Sequence, residues 1–184
     1  MSRPFLSFYT PTYRRPEGLA RCIASVRGQT IASEIEQVII ADHVGIGVHG
    51  MFAAIPQYAS ALHGEYVHLL CDDDMLAGPS AVESVRAAAR ADGNPELLLV
   101  QASKGGLRLP IDPNPWPPVM GRIDLSCFIV RHDVWQRHAA DYGHRYEGDF
   151  DFADALYRAG VVAHVLQDLF VIGGVSRGAA EAAA

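Results

Sequence analysis

Cysteine is scarce. Cys22, Cys71 and Cys127 are odd in number, far apart, and each set in an apolar run. A disulfide framework is therefore excluded, and the three read as reduced core thiols, which suits the cytoplasm. No apolar run approaches the roughly 18–20 residues needed to span a bilayer. The opening Met1-Ser2-Arg3-Pro4 leads straight into a strand-like run, without the apolar stretch and small-residue cleavage site of a signal peptide. Basic charge is short as well. Lys and Arg total 15 against 21 Asp and Glu, a formal net charge of −6, which does not fit a duplex-binding surface. With 184 residues, 49% of them hydrophobic, the chain has material for one domain with a full core, and a second is not expected.

What is present is an alternation of strand and helix signals. Residues 5–10 are short and aromatic-rich and stop at Pro11, as a buried strand before a loop does. Residues 17–29 place Leu19, Cys22, Ile23 and Val26 at helical spacing. A second strand, 37–41, ends at Asp42-His43. Gly45, Gly47 and Gly50 then lead into a helix expected over 51–62 and disturbed at Pro56. A third strand, 66–71, runs directly into Asp72-Asp73-Asp74. Gly78-Pro79 should open a helix reaching about Asp92, with proline at its first position. A fourth strand is expected over 96–103. Five of the eleven prolines then crowd residues 104–121 around Trp116, which predicts a long loop with no regular element. Further expectations are a strand at 123–130, a helical turn at 133–138, a helix at 149–159, strands at 161–165 and 169–172, and a flexible end. The pattern predicts an α/β fold: a mostly parallel central sheet with helices on both faces.

In such a sheet, ligands bind beyond the carboxyl ends of the strands. Three successive strands here end in polar residues: Thr10 to Arg15, Asp42-His43, and Asp72 to Asp74. As neighbours they would form one cleft. Adjacent carboxylates repel one another, so a fold that gathers three usually supplies a cation, and hard oxygen ligands suit Mg²⁺ or Mn²⁺. The competing reading is a solvated acidic turn before a helix; against it, that helix opens only at Gly78. His68 alternates inside a strand and reads as a core residue. Two alternatives stay open from the residues alone. Gly45, Gly47 and Gly50 fit either close backbone approach to a ligand or a flexible turn, and Trp116 either stacks on a sugar or base or plugs the core.

Taken in order, these segments resemble the family 2 glycosyltransferases of the GT-A fold, in the nucleotide-diphospho-sugar transferase superfamily. The resemblance rests on Thr10-Pro11-Thr12-Tyr13-Arg14-Arg15-Pro16-Glu17, on Ile39-Ile40-Ala41-Asp42, and on the DxD-like strand from Gly64 to Leu76. It continues through Phe128 to Val134 and Glu147-Gly148-Asp149-Phe150-Asp151-Phe152, and spans roughly residues 5–172. It implies a single GT-A-like, Rossmann-like domain over 1–177. That domain would comprise a nucleotide-sugar-binding half (1–103), the 104–121 loop and an acceptor or catalytic half (122–177), followed by a disordered tail at 178–184. Pro11, Thr12 and Tyr13 would border the base with Arg15 nearby, and Asp42 would hydrogen-bond base or ribose. Asp72, Asp73 and Asp74 would meet the donor diphosphate through Mn²⁺ or Mg²⁺, with Asp72 and Asp74 as ligands. Asp149 would take the proton from the acceptor hydroxyl, with Glu147 and Asp151 in reserve; its other reading is a helix cap. The sequence departs from the family at His43-Val44, where an aspartate and a serine are usual, and at Gly148, where glutamate is common. No histidine follows His164; Ser176 and Arg177 occupy that region, and Arg177 reads either as a phosphate contact or as a solvated residue.

The activity implied is metal-dependent transfer of a sugar, of the hexosyltransferase type, from a nucleoside-diphosphate sugar to an acceptor hydroxyl with inversion. The alternatives are a catalytically silent nucleotide- or sugar-binding module and, less favoured, a sugar nucleotidyltransferase. The latter would want a glycine-rich, arginine-containing loop after the first strand. The acceptor class stays open between glycan, small molecule, protein and modified nucleic acid. The short second half leaves acceptor contact to the 104–121 loop, a second copy of the chain or a partner.

Overall fold

The computed structural model describes residues 3–174. Ser176, Arg177 and the 178–184 tail lie outside them. Eight strands form one sheet, in the order β2 (Ile35–Ala41), β1 (Leu6–Thr12), β3 (Tyr66–Leu69), β7 (Phe128–Arg131), β5 (Leu97–Lys104), β8 (Ala163–Gly173), β4 (Met75–Leu76), with β6 (Leu107–Leu109) paired to β5 off that path. The long ladders are parallel: β1 with β2, β1 with β3, and β5 with β8. Antiparallel pairings join β3 to β7, β7 to β5, β5 to β6 and β8 to β4 over two or three residues each. The expected α/β domain with a mostly parallel sheet is what forms.

Five helices connect the strands: α1 (Pro16–Arg27), α2 (Gly47–Tyr58), α3 (Ala81–Ala91), α4 (His132–His138) and α5 (Gly148–Arg158). The path from β1 out to β2 and back past β1 to β3 reverses direction. Right-handed crossovers then place α1 and α2 on opposite faces. α1 buries Gly18, Cys22 and Val26, and α3 buries Val82, Val85 and Ala89. Gln29 ties these two helices together. Its Nε2 donates to Ser25 O (3.1 Å) and Gly78 O (2.8 Å), and its Oε1 accepts the Val82 N–H at 3.0 Å. This side chain satisfies an N-terminal amide of α3. The helix accordingly starts at Ala81, two residues beyond Pro79, and not with proline in its first turn as the sequence suggested.

Leu97, Leu98, Leu99 and Val100 are fully buried because β5 lies between β7 and β8 with both faces covered. At about 2 kcal/mol per buried leucine, this run anchors the middle of the sheet. His68 is part of the same interior, as expected. Its ring lies edge-on to Phe8 and Phe170, its Nδ1 is 2.8 Å from Phe128 O, and burial lowers its pKa to about 4, so it is neutral at pH 7.

The structure departs from the sequence reading elsewhere too. β1 continues through Pro11 to Thr12. Tyr9 O accepts from Leu70 N and Thr12 O from Asp42 N, so by alternation the Pro11 nitrogen faces the β3 side, where β3 has already ended, and no ladder bond is lost. Residues 104–121 hold a regular element after all: Gly105 and Gly106, at φ of 59° and 85°, turn β5 back into β6. The strand expected from 123 begins at Phe128, because Asp124 caps a 3-10 turn over Leu125–Cys127 by accepting the Ser126 N–H. The two late strands are one, β8, whose register shifts against β5 between Leu99 and Ala102.

Candidate active site

β2, β1 and β3 are neighbours, so their carboxyl ends meet as the sequence anticipated. Between the first two lies an open cleft of about 360 Å³, lined by Thr12, Tyr13, Arg14, Arg15, Pro16, Ala41, Asp42 and His43. Arg14 takes a left-handed φ of 52° at the turn and stacks over the Tyr13 ring at 5.1 Å. A Cβ at Gly45 (φ 82°) would stand 2.8 Å from Tyr13 Cζ. That glycine therefore makes room for Tyr13, a reason internal to the fold. The exposed Asp42 carboxylate accepts three N–H groups of its own loop, from Val44 (2.8 Å), Gly45 (2.8 Å) and Ile46 (2.7 Å). Desolvation is the largest single effect and works upward, but the three donors together, with His43 beside them, outweigh it and hold the pKa below the usual range.

The acidic triplet divides by direction. Asp72 turns toward β1 and α1: Thr12 Oγ1 donates to its Oδ2 at 2.8 Å and Arg15 Nη1 to its Oδ1 at 3.2 Å. The same guanidinium lies 3.1 Å from Asp73 Oδ2. Asp74 points inward and is 1% exposed, and neither of its oxygens has a hydrogen-bond partner among the described residues. The nearest cation is Lys104 Nζ, 3.3 Å from Oδ2, and it also reaches Asp124 Oδ1 at 2.9 Å. Burial dominates at Asp74 and, despite the opposing pull of Lys104, raises its pKa to about 6. At Asp124 burial also works upward, but Lys104 and the Ser126 donors outweigh it and leave that carboxyl below its ordinary value.

Among the described residues, one group could hold a metal ion: Cys71, Asp73 and Asp74, whose donor atoms lie within 4.8 Å of one another. Burial pushes the Cys71 thiol well above its usual pKa, so it is a neutral neighbour and a poor ligand for a hard cation. Asp73 and Asp74 fit Mg²⁺ or Mn²⁺, which bind one or two carboxylates and complete their shell with water and phosphate oxygens. The buried oxygens of Asp74, which have no hydrogen-bond partner among the described residues and only Lys104 as a nearby cation, are what such an ion would satisfy. Asp72, expected as a ligand, stands outside this group and clamps the turn.

Asp149 lies in the first turn of α5, whose N-cap is Glu147 with no side-chain cap bond. It accepts the Phe150 N–H at 2.8 Å. Burial raises its pKa to about 6, and the nearby negative charge of Asp124 adds to the shift. Of the two reserve carboxylates, Asp151 is bound bidentately by Arg145. Gly148 has a steric reason. A Cβ there would collide with Tyr142 O and come within 2.6 Å of the Phe52 ring, in the stack that Phe52, Tyr142 and Phe152 build beneath α5. Gly148→Ala is expected to lose about 2–3 kcal/mol of stability by overpacking, read as a lower urea midpoint at unchanged slope.

Two site residues escaped the sequence reading, Lys104 and Asp124. The signal for Asp124 was its spacing to Ser126, a local capping pattern. Trp116 packs half-buried against the core: its Nε1 donates to Val161 O at 3.1 Å and its ring meets Tyr157 edge-on. No helix of the described residues is long and apolar enough to cross a membrane.

Comparison with known proteins gives structural likeness only, since no protein-family model and no curated protein matches. TarS 1-349 from S. aureus, crystallised with UDP-GlcNAc, superposes with a TM-score of 0.65 at 14% identity, covering 97% of this chain and 61% of that one. The mannosyltransferase PcManGT from Pyrobaculum calidifontis, in complex with GDP-Man and Mn²⁺, gives 0.63 at 12% identity over 98% and 60%. A longer S. aureus TarS gives 0.64 at 14% identity over 93% of this chain and 37% of that one. The chain thus spans between 37% and 61% of the length of these proteins. With strands β1 to β3 ending together at an acidic turn, the chain shares the GT-A fold of these proteins.

Proposed function

We propose that this chain transfers a sugar from a nucleoside-diphosphate donor to an acceptor hydroxyl with inversion. The observation that carries the reading is Asp74, a buried carboxylate with unsatisfied oxygens at the end of β3, beside Asp73 and the nucleoside-sized cleft. The base and ribose lie in that cleft, against Tyr13 and near Pro11, Thr12, Arg15 and Asp42. Asp73 and Asp74 would hold Mn²⁺ or Mg²⁺, which would supply positive charge to a leaving diphosphate. Asp72 fixes the turn through Thr12 and Arg15. Asp149, with its pKa raised to about 6, accepts the proton of the attacking hydroxyl near neutral pH. The neighbours' complexes with UDP-GlcNAc and with GDP-Man and Mn²⁺ make these donors the first to try.

Thermal shift tests the donor side. One nucleoside-diphosphate sugar class, given with Mn²⁺, should raise the melting temperature, and chelation should remove the rise. Release of nucleoside diphosphate from that donor then measures turnover. Tight binding with no release toward any hydroxyl acceptor would identify a binding module in place of a transferase.

A further inference from the structure

Lys104 is the only lysine in the sequence, and neither the expected motifs nor the fold gave it a task. It ends β5, paired with Gly173 on β8. Its Nζ is 3.3 Å from Asp74 Oδ2 and 2.9 Å from Asp124 Oδ1. Gly173 makes the space. A Cβ there would stand 2.9 Å from Lys104 Cε and would collide with Asp74 Oδ1. Asp124 is a fixed anchor, because its carboxylate also accepts the Ser126 N–H at 2.9 Å.

A divalent ion of the Mg²⁺ type sits about 2.1 Å from the carboxylate oxygen that binds it. An ion on Asp73 and Asp74 therefore comes within a few ångström of the ammonium, in a buried place where like charges repel strongly. Both cations need Asp74, while Asp124 offers the ammonium a second place to stay. We propose that Lys104 is a built-in counter-cation that competes with the divalent ion for Asp74, yielding the carboxylate and remaining on Asp124 when the ion enters. The inference rests on the reading of Asp73 and Asp74 as the ion's ligands. Its consequence is weak ion binding in the free protein, relieved when the donor's diphosphate brings negative charge that both cations can share.

Mn²⁺ binding to donor-free protein, followed by the paramagnetic resonance of free Mn²⁺, tests this. Lys104→Met keeps the side chain's length without its charge and should bind Mn²⁺ about ten-fold or more tightly than the wild type, while Lys104→Arg should stay near it. Equal or weaker binding by Lys104→Met overturns the inference. Mn²⁺ binding to neither protein removes the ion site and this inference with it, whereas equal binding to both removes only the role of Lys104. Losing one charge of a buried cluster can unfold a protein, so the wild type supplies an independent readout. Selective ¹³C-lysine labelling yields a single side-chain signal. Mg²⁺ that shifts the Asp73 and Asp74 amides should shift that signal too, and a lysine signal that stays put overturns the proposal.

Discussion

Asp149→Asn is expected to lower glycosyl transfer about 10³-fold, within the range for losing a general base, while donor binding persists. Asparagine keeps the oxygen that accepts the Phe150 N–H and the shape of the first turn of α5, so only the proton acceptor is lost. The pH dependence carries a sign that a structural role would not give. Burial raises the folded pKa of Asp149 from 3.8 to about 6. The active, ionised form therefore grows as pH rises through about 6, and kcat/KM should fall tenfold per pH unit below it. Stability runs the other way. A carboxyl with a raised folded pKa costs nothing below its unfolded value and becomes a buried charge once pH passes the folded one. A shift of this size corresponds to roughly 2–3 kcal/mol at alkaline pH. The asparagine variant should therefore melt higher than the wild type above neutrality and show little difference near pH 4. A variant that is stabilised but retains transfer within a factor of ten would separate burial from catalysis and remove Asp149 from the reaction.

That the triplet could be picked out of the sequence at all follows from where it stands, whereas Asp149, inside the first turn of a helix, was marked only by the family resemblance. Strands that end in polar residues announce a carboxyl-end cleft, and the runs leading to Thr12, Asp42 and Asp72 form neighbouring strands in the structure. What the sequence could not say is which way each adjacent aspartate faces. Successive residues leave a turn in different directions, and only tertiary partners decide: Thr12 and Arg15 claim Asp72, while Gly173 and Lys104 border Asp74. The region from 104 to 126 was misread for a different reason. Its prolines, strong breakers, mask Gly105-Gly106, a hairpin signal of the kind that favours two residues with positive φ. Without that hairpin Lys104 looked like the start of a loop; with it, Lys104 is the end of a central strand facing the acidic turn. Asp124 was hidden in the same way, inside a segment expected to be a strand and in fact a capped turn.

Asp74→Asn should abolish the Mn²⁺-dependent part of donor binding without unfolding the protein. Two effects oppose each other at this position. Removing the charge takes a partner from Lys104, 3.3 Å away, which breaks part of a buried ion cluster and costs stability. It also removes a carboxylate whose pKa burial has raised to about 6 even with Lys104 beside it. The net direction of that shift decides. Near pH 8 the folded state disfavours the ionised form of Asp74 relative to the unfolded chain, and Lys104 keeps Asp124 at 2.9 Å. The donor-free variant should therefore be at least as stable as the wild type there. Ligand linkage then reveals the loss. At a hundredfold excess over its Kd, donor with Mn²⁺ stabilises the wild type by about 2.7 kcal/mol, roughly 5–10 °C for a chain of this size. Asp74→Asn should show none of that metal-dependent increment. Asp72→Asn, which loosens the turn through Thr12 and Arg15 but leaves Asp73 and Asp74 in place, should keep a reduced one. If Asp72→Asn erased the metal effect and Asp74→Asn preserved it, the ion would belong on Asp72, and the inward-facing carboxylate would be no more than the buried partner of Lys104.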